Sequence, residues 1–524
     1  MASEVTADVL RYGTGRGRWV LAATVLGSGM AALDATVVGI ALPAIARDFH
    51  VGVNSMEWVV DAYTLTLAGL LLVGGSLGDS FGRRKVFVIG TIWFALASLL
   101  CGVAPTAGIL IAARALQGIG AALLTPGSLA ILQASFAPDD RARAIGAWSG
   151  LGGVATAIGP FLGGWLISAV SWRLVFFINL PVAAAVIAVS LRHVPESLAP
   201  AAGNVPADAA GPTAAQGASA RRERIDVAGA VTISLALGGI TYGLIEASAD
   251  GWAAPAVIAS LAAGIALFAA FIWIEARSRE PMLPLGVFRS RQFSATNAVT
   301  FIIYGAVGGA LFLVPVVLQE AFGYSPLEAG SALLPVTILM LALSSRSAAL
   351  SARIGPRLQM TVGPLLIGAG MVLFTRLQGT GDYLTQVLPA ALVFGLGAAV
   401  NTAPLTATAL SSAPAEHSGI ASAVNNDVAR TGSLIAVAVL PLAAGLSGNV
   451  YLHPAALVHG FHIAVLIAAA GCAVGGLIAA AAIRNPPRVP APPFAERPVP
   501  AVSLHCALDG PALRPSPPEP AEGR

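Results

Sequence analysis

The stretch WVLAATVLGSGMAALDATVVGIALPAI, residues 19–45, decides the fold class, because it is long enough to cross a bilayer, which takes about 20 apolar residues. It contains a single ionisable side chain, Asp34. An aspartate at the centre of a spanning helix costs roughly 2.5–3.5 kcal/mol on insertion scales, which favours a functional role. In one interpretation the carboxyl faces a polar cavity and binds protons or a cation. In the other it lies near the interface, or a partner neutralises it for packing alone.

Composition extends this reading to the whole chain. Of 524 residues, 56% are hydrophobic and 10% are charged, which is typical of a polytopic membrane protein. The net charge of +3 comes from arginines dispersed in short loops, so we expect no nucleic-acid partner. Neither the three cysteines nor the histidines form a metal-binding pattern, and no nucleotide-binding loop is present. We therefore predict no metal and no cofactor, and a transport process driven by an ion gradient.

The apolar segments predict an all-α protein with fourteen transmembrane helices. Two groups of six similar helices are expected to flank an inserted pair. Loops rich in arginine alternate along the chain, which predicts that both termini are cytoplasmic. The predicted parts are a cytoplasmic arm (1–17), six helices (18–192), a cytoplasmic linker (193–225), an inserted helix pair (226–275), six helices (276–484) and a disordered Pro-rich cytoplasmic tail (485–524).

Two loops repeat across these six-helix groups. LGDSFGRR (77–84) follows the second segment and LSARIGPR (350–357) follows the tenth, each with a glycine and a final arginine at matching offsets. Chance similarity of such short loops is the alternative. Membrane proteins built from repeats bind substrate near the midplane between the repeats and alternate access by rocking.

The first of these loops lies within GGSLGDSFGRRK (74–85) and carries a specific combination of residues. Gly75 and Gly82 are expected to let helix ends approach closely. Asp79 is expected to accept hydrogen bonds from a neighbouring helix N-terminus. Arg83 and Arg84 are expected to hold the loop on the cytoplasmic side. The simpler alternative is an ordinary arginine-rich turn.

At this point the chain resembles the major facilitator superfamily, in its fourteen-helix drug:proton antiporter branch. The loop 74–85 is similar to the signature loop of that superfamily, with Ser80 where a basic residue is usual. LDATVVGIALP (33–43) resembles the first-helix signature of the branch, with Gly39 in place of asparagine. The resemblance covers about residues 18–484 and implies the fold, a monomer and proton-coupled export. The arginine-, alanine-, glycine- and proline-rich composition suggests a high-GC bacterial genome, and the resemblance is to the actinobacterial type of this branch.

RALQGIGAALLTPGS (114–128) places Arg114 and Gln117 on one helix face by their spacing. A buried arginine needs an anionic or carbonyl partner, and Asp34 is the expected one. The family resemblance implies a role in proton transfer for Arg114, whereas Gln117 is a candidate cavity residue. An arginine that reaches to the interface is the alternative.

GAWSGLGGVATAIGPFLGGWL (146–166) combines Gly159, Pro160, Gly163 and Gly164 in one helix. Small residues at these spacings let helices pack closely, and proline bends a helix. The stretch resembles the one that the family associates with exporters rather than importers, with Ala155 replacing its leading glycine.

Two further acids lie at membrane depth. Glu246 either takes part in proton coupling or is only interfacial. Asp427 is either a second titrating group or a neutralising partner for Arg430, three residues away. Asn425 and Asn426 are candidates for contact with substrate or with another helix.

These features predict a proton-driven antiporter that exports hydrophobic or amphipathic small molecules, such as antibiotics, across the bacterial plasma membrane. Its expected partners are a lipophilic substrate, protons and the lipid bilayer. The alternatives are a proton-coupled transporter of an endogenous metabolite, a proton-coupled importer, or a facilitator without coupling. An enzyme is not expected, because no catalytic side chains converge.

Overall fold

The computed structural model describes residues 10–197 and 226–485, apart from 279–280, 282, 380, 413–417, 449 and 451–452. Within these residues the chain is helical, and thirteen helices are long and apolar enough to cross a membrane. Ser418–Ala443 supplies a further helix of 26 residues, whose asparagines and charges make it less apolar. The prediction of fourteen helices is thereby confirmed. Of the predicted arm only residues 10–17 are described; residues 1–9, most of the predicted linker (198–225) and nearly all of the predicted tail (486–524) lie outside the described residues.

We number the fourteen helices α1 to α14 in chain order. Two of them, α6 and α10, are each interrupted at a single residue, Ile178 and Leu333, and α12 follows a π-helical turn at Tyr383–Val387. The helices are α1 Gly15–Phe49, α2 Val53–Phe81, α3 Arg83–Gly102, α4 Ala107–Ser135, α5 Pro138–Ala169, α6 Leu174–His193, α7 Val227–Asp250, α8 Pro255–Arg277, α9 Arg291–Glu320, α10 Pro326–Ile354, α11 Pro356–Phe374, α12 Leu388–Ser411, α13 Ser418–Ala443 and α14 Pro454–Ala482.

Helix pairing repeats between the first six and the last six helices. We call α1–α6 the N-terminal bundle and α9–α14 the C-terminal bundle. In the first bundle α1 packs on α5 and α6, while α4 packs on α2 and α3; in the second, α9 packs on α13 and α14, while α12 packs on α10 and α11. The two bundles therefore share one packing plan. They meet where α5 contacts α10, where α2 contacts α13 and where α1 contacts α9.

The two helices of the inserted pair, α7 and α8, pack mainly against each other, and α7 also contacts the bundles. Helix α7 contacts both α2 and α13, so it lies beside the place where the two bundles meet. Helix α8 is mostly exposed along its apolar length, which suits a lipid-facing helix.

Contacts between the bundles are concentrated at one end. Arg47 at the end of α1 forms an ion pair with Glu320 at the end of α9, at 2.7 Å. The Gln319 side chain donates to the carbonyl of Ile40 (3.1 Å), and the amide of Val53 donates to the carbonyl of Gly448 (3.2 Å).

At the opposite end of α5, a Cβ added to Gly146 or Gly150 would meet no atom within 4 Å. The ion pair and hydrogen bonds named above hold the bundles together at the end with Arg47, which we call the closed end, and the two glycines lie towards the end that holds the 79–84 loop.

Candidate functional site: a buried carboxylate–guanidinium centre

Asp34 lies at the middle of α1, and its side chain is completely buried. Its Oδ2 accepts a hydrogen bond from Nη1 of Arg114 on α4, at 2.5 Å, and the Arg114 side chain is only 1% exposed. Burial of an isolated charge is costly, whereas a paired and hydrogen-bonded ion can be accommodated. The structure therefore brings together the two charges that the sequence singled out.

Three further polar side chains complete the shell around Asp34. Nε2 of Gln117 and Nδ2 of Asn179 both donate to Oδ1 of Asp34, each at 2.9 Å. Both amides also donate to the hydroxyl of Ser98 (3.2 and 2.9 Å), which itself donates to the carbonyl of Phe176. Helices α4 and α6 thus supply three side-chain donors to the carboxylate of α1, and Ser98 of α3 bonds to two of those side chains.

Arg114 is held as firmly as its partner. Its Nε donates to the carbonyl of Val59 on α2 (3.0 Å), and Nη1 also donates to Oε1 of Gln117 (2.7 Å). The guanidinium carbon lies 4.3 Å from the centre of the Tyr63 ring, a distance suited to a cation–π contact. These contacts fix the planar fork of the arginine against the carboxylate. The alternative of an arginine extended to the interface is excluded.

The expectation that Asp34 faces an open polar cavity is wrong for this conformation. Both oxygens of Asp34 are occupied by three donors from two other helices, and the side chain has no exposed surface. The side chains of Arg114, Gln117 and Asn179 supply the polar surroundings that a cavity was expected to provide. For the same reason Gln117 belongs to this centre rather than to a cavity wall.

Sequence reasoning missed Asn179 and Ser98. An asparagine inside the apolar sixth segment was a usable signal, because an amide buried in a membrane needs a partner. Ser98 gave no signal, since serine satisfies its hydroxyl on the backbone of any helix.

The 79–84 loop is organised differently from the prediction in two respects. Asp79 does not cap a neighbouring helix; it accepts a hydrogen bond from its own loop partner Arg83 (2.9 Å), which also reaches the carbonyl of Ala130. Gly75 has room for a Cβ, whereas a Cβ at Gly74 would collide with the backbone of α4 at Ala122. The close approach of helices therefore depends on Gly74.

The helix N-terminus is capped instead by residues that follow the sixth helix of each bundle. Glu196 accepts from the amide of Arg84 (3.1 Å), and Asn485 accepts from the amide of Arg357 (3.0 Å) at the matching repeat position. The glycine before each of these helices has a positive φ, +107° at Gly82 and +85° at Gly355. The structure thus supports a true internal repeat rather than chance similarity. Arg84 also forms an ion pair with Glu196 (3.4 Å).

The glycines of α5 pack closely, as predicted. A Cβ at Gly159 would collide with Thr36 of α1, and one at Gly163 would lie 2.5 Å from Cγ1 of Val37. Gly164 faces the backbone of Pro326 at the start of α10, and Gly330 of α10 faces the carbonyl of Pro160. This stretch therefore joins α5 both to the helix that carries Asp34 and to the other bundle.

Comparison with known proteins agrees with this geometry. The model of the family described as "Major Facilitator Superfamily" matches residues 24–220 and 197–438. The chain belongs to the major facilitator superfamily.

Its relatives in this superfamily are named as drug-resistance proteins. "Multidrug resistance protein Stp" of Mycobacterium tuberculosis is 35% identical over 83% of this chain and 77% of its own length. "Tetracenomycin C resistance and export protein" of Streptomyces glaucescens is 35% identical over 83% and 78% of the two chains. "Puromycin resistance protein pur8" of Streptomyces alboniger is 34% identical over 86% and 88%. The chain is thus a transporter rather than an enzyme, and a multi-pass protein of the bacterial plasma membrane.

Solved structures show the same fold. A peptide transporter described as POT, crystallised with sulfate, aligns with a TM-score of 0.63 over 90% of this chain and 96% of its own, at 15% identity. The human organic anion transporter MFSD10 aligns with a TM-score of 0.55 over 88% and 99%, also at 15% identity.

The remaining charges of this superfamily member lie outside the Asp34 centre. Glu246 of α7 accepts from the indole nitrogen of Trp58 on α2 (2.9 Å). In the described part of the chain, no hydrogen bond or ion pair joins Asp427 to Arg430; Oδ1 of the acid and Nε of the arginine are buried without partners.

The two asparagines of α13 also differ from each other. Asn425 donates to Asn297 (3.1 Å) and Thr300 (2.9 Å) of α9, so it joins two helices. Asn426 is exposed and donates to the carbonyl of Ser422 within its own helix.

Proposed function

We propose that this protein is a proton-driven antiporter that exports lipophilic or amphipathic antibiotics from the bacterial cell. The observation that carries the proposal is the buried ion pair of Asp34 with Arg114. A facilitator needs no ionisable group at this depth, and charges buried in membrane helices commonly mark proton relays. The relatives named for resistance to tetracenomycin C and puromycin support antibiotics as the substrate class.

The proton site in this proposal is Asp34. In the conformation described here its side chain accepts three side-chain hydrogen bonds, one of them from Arg114. A proton taken from the outside neutralises it and weakens its attraction to Arg114. The carrier that is protonated at Asp34 turns inward and releases the proton to the cytoplasm. Drug then binds, and the loaded carrier returns outward.

The two ends of the bundles act as gates in this cycle. With both termini in the cytoplasm, the pair of Arg47 and Glu320 closes the outer end. The loop with Asp79, Arg83 and Arg84 closes the cytoplasmic end in the opposite conformation. In the described structure its side-chain partners all lie in the N-terminal bundle or just after it, which suits an open cytoplasmic gate.

The substrate passes between the bundles, and α13 supplies polar groups there. Arg430 lies within electrostatic range of Tyr63 on α2 and Tyr304 on α9, so it sits between helices of both bundles. We assign Arg430, Asp427 and the exposed Asn426 to the substrate path. The protein works as a monomer, because each bundle finds its partner within the same chain.

The test is proton flux in vesicles that contain the purified protein and a trapped pH-sensitive dye. Puromycin and tetracenomycin C are added in turn, and the wild type is compared with Asp34→Asn. The proposal expects drug-dependent proton movement in the wild type and none in the variant. Proton movement that is equal in both proteins would overturn the role of Asp34. Drug movement that ignores an imposed pH gradient in the wild type would instead favour a facilitator.

A further inference from the structure

Two acids on α2 are buried with no hydrogen-bond partner in the described part of the chain. Glu57 is 1% exposed and Asp61 has no exposed surface. All four of their carboxyl oxygens lack a hydrogen-bond donor among the described residues. They lie four positions apart, which places them one above the other on the same face of the helix.

An ionised carboxylate in such surroundings is costly, because nothing replaces the water that it has lost. A nearby acid adds to this cost, and Glu57 lies within electrostatic range of both Asp61 and Glu246. Two carboxylates that close cannot easily be ionised together. The pair must therefore hold a proton or another cation.

The charged groups on the neighbouring helices do not fill this role. Arg114 of α4 is engaged by Asp34 of α1 and by the carbonyl of Val59. Arg430 of α13 does not bond to either acid, because all four carboxyl oxygens of Glu57 and Asp61 lack a partner among the described residues. Asp427 on α13 and Glu246 on α7 add only negative charge. Arg83, Arg84 and Lys85 lie at the far end of α2, beyond Asp79.

The geometry also decides the kind of cation. The carboxyl oxygens of both acids are enclosed, so an organic cation finds no open surface there. The described residues contain no group of three acids, histidines or cysteines placed to hold a metal ion, so Glu246 does not converge with Glu57 and Asp61 on one point. A proton needs neither space nor several ligands.

Glu246 of the inserted helix pair lies between this site and the surface at the closed end of the bundles. Glu246 is only half-buried, and it is tied to α2 through the indole of Trp58. Beside it, the side chain of Asn54 donates to the carbonyl of Ile245 (3.0 Å). These contacts lie near the start of α2, at the closed end of the bundles, and the acids become more buried from Glu246 to Glu57 and Asp61.

We propose that Glu57 and Asp61 form a second proton-binding site, which Glu246 of the inserted pair connects to the outer surface. This inference rests on the proposed function, since it assigns these acids to the same proton-driven cycle. It also gives α7 a task in transport, because Glu246 is the one of these three acids that the inserted pair supplies.

The first arm of the test measures protonation without transport. Infrared spectra of the purified protein near neutral pH report the carbonyl band of protonated carboxyl groups. We compare the wild type with Glu57→Gln/Asp61→Asn and with Asp250→Asn, an exposed acid at the end of α7. The proposal expects part of the band to vanish in the double variant and to persist in the control. An unchanged band in the double variant would overturn the proposal.

The second arm measures the number of protons moved per drug molecule in vesicles. Loss of this site should lower the ratio by about half, because one of two proton carriers is gone. A ratio equal to that of the wild type would overturn the transport role, even if the infrared band changes. Neither substitution removes a hydrogen bond, so thermal stability should be kept, and its measurement checks the fold.

The two arms separate this inference from the proposed function. If Asp34→Asn leaves coupling intact while Glu57→Gln/Asp61→Asn lowers it, the role of Asp34 fails and the second site stands. If only Asp34→Asn lowers coupling, the second site fails alone.

Discussion

Replacement of Asp34 by asparagine should damage this protein through one defined change in hydrogen bonding. Oδ1 of Asp34 accepts from two amides, and Oδ2 accepts from Arg114. An asparagine side chain has one acceptor and one NH₂ group. Either orientation therefore points a donor at another donor, towards the amides of Gln117 and Asn179 or towards the guanidinium.

The magnitude follows from the burial of the pair. Both side chains are at most 1% exposed, so the guanidinium of Arg114 loses its counterion where water cannot replace it. Removal of one partner from such a pair costs about 3–5 kcal/mol. The double variant Asp34→Asn/Arg114→Met removes both charges, and replacement of a buried pair by neutral residues is often nearly neutral. The double variant should therefore recover most of the stability that the single variant loses.

Two assays check this reasoning. Thermal unfolding of the purified protein in detergent should rank the wild type and the double variant above Asp34→Asn. Drug-dependent proton flux in vesicles should be absent from both variants, because protonation at position 34 is the step that turns the carrier inward in the proposed cycle. If Asp34→Asn unfolds at the temperature of the wild type, the ion pair contributes no net stability and our account of the centre is wrong.

Three further predictions concern the surroundings of this centre. Asn179→Leu removes a donor to a charged group and should cost about 1.5–3 kcal/mol, measured by thermal unfolding; an unchanged unfolding temperature would show that the amide is dispensable. Gly163→Val places side-chain atoms against α1 and should lower both stability and drug efflux, whereas Gly146→Val, at a position with free space, serves as its matched control. Glu320→Gln breaks an outer ion pair whose partner is half exposed, so it should cost at most about 1 kcal/mol and shift spin-label distances across the outer end towards an open population. Distances equal to those of the wild type would exclude a gating role for that pair.

The antiport cycle and the second acid site together imply a role in transport for the inserted helix pair. The pair contributes few contacts between the bundles, yet α7 borders the seam of α2 and α13 and positions Glu246 beside Trp58. A transporter that moves protons through two binding regions draws on the pH difference and on the membrane potential. The membrane potential contributes about 2.3 kcal/mol per 100 mV for each charge moved.

Much of this protein could be predicted from the sequence because the membrane restricts it to helices. Long apolar segments must form helices there to satisfy their backbone groups, so the number of helices, their approximate ends and the internal repeat could all be inferred. A charge such as Asp34 or Arg114 stands out in an apolar segment, since its burial is costly. The same logic would have pointed to Asn179, Glu57 and Asp61, which lie in equally apolar surroundings.

Only the tertiary structure decided which of these groups are partners. Asp34 and Arg114 are 80 residues apart in the chain, and the packing of α1 on α4 brings them to 2.5 Å. Asp427 and Arg430 are three residues apart, yet they form no pair in the described structure, because adjacency on a helix does not fix side-chain direction. Likewise, Glu196 rather than Asp79 caps α3, since the chain after α6 returns to that helix end. The sequence identifies the polar and charged residues whose burial in the membrane is costly. Helix packing determines their partners, because it alone sets the distances between side chains and their access to water.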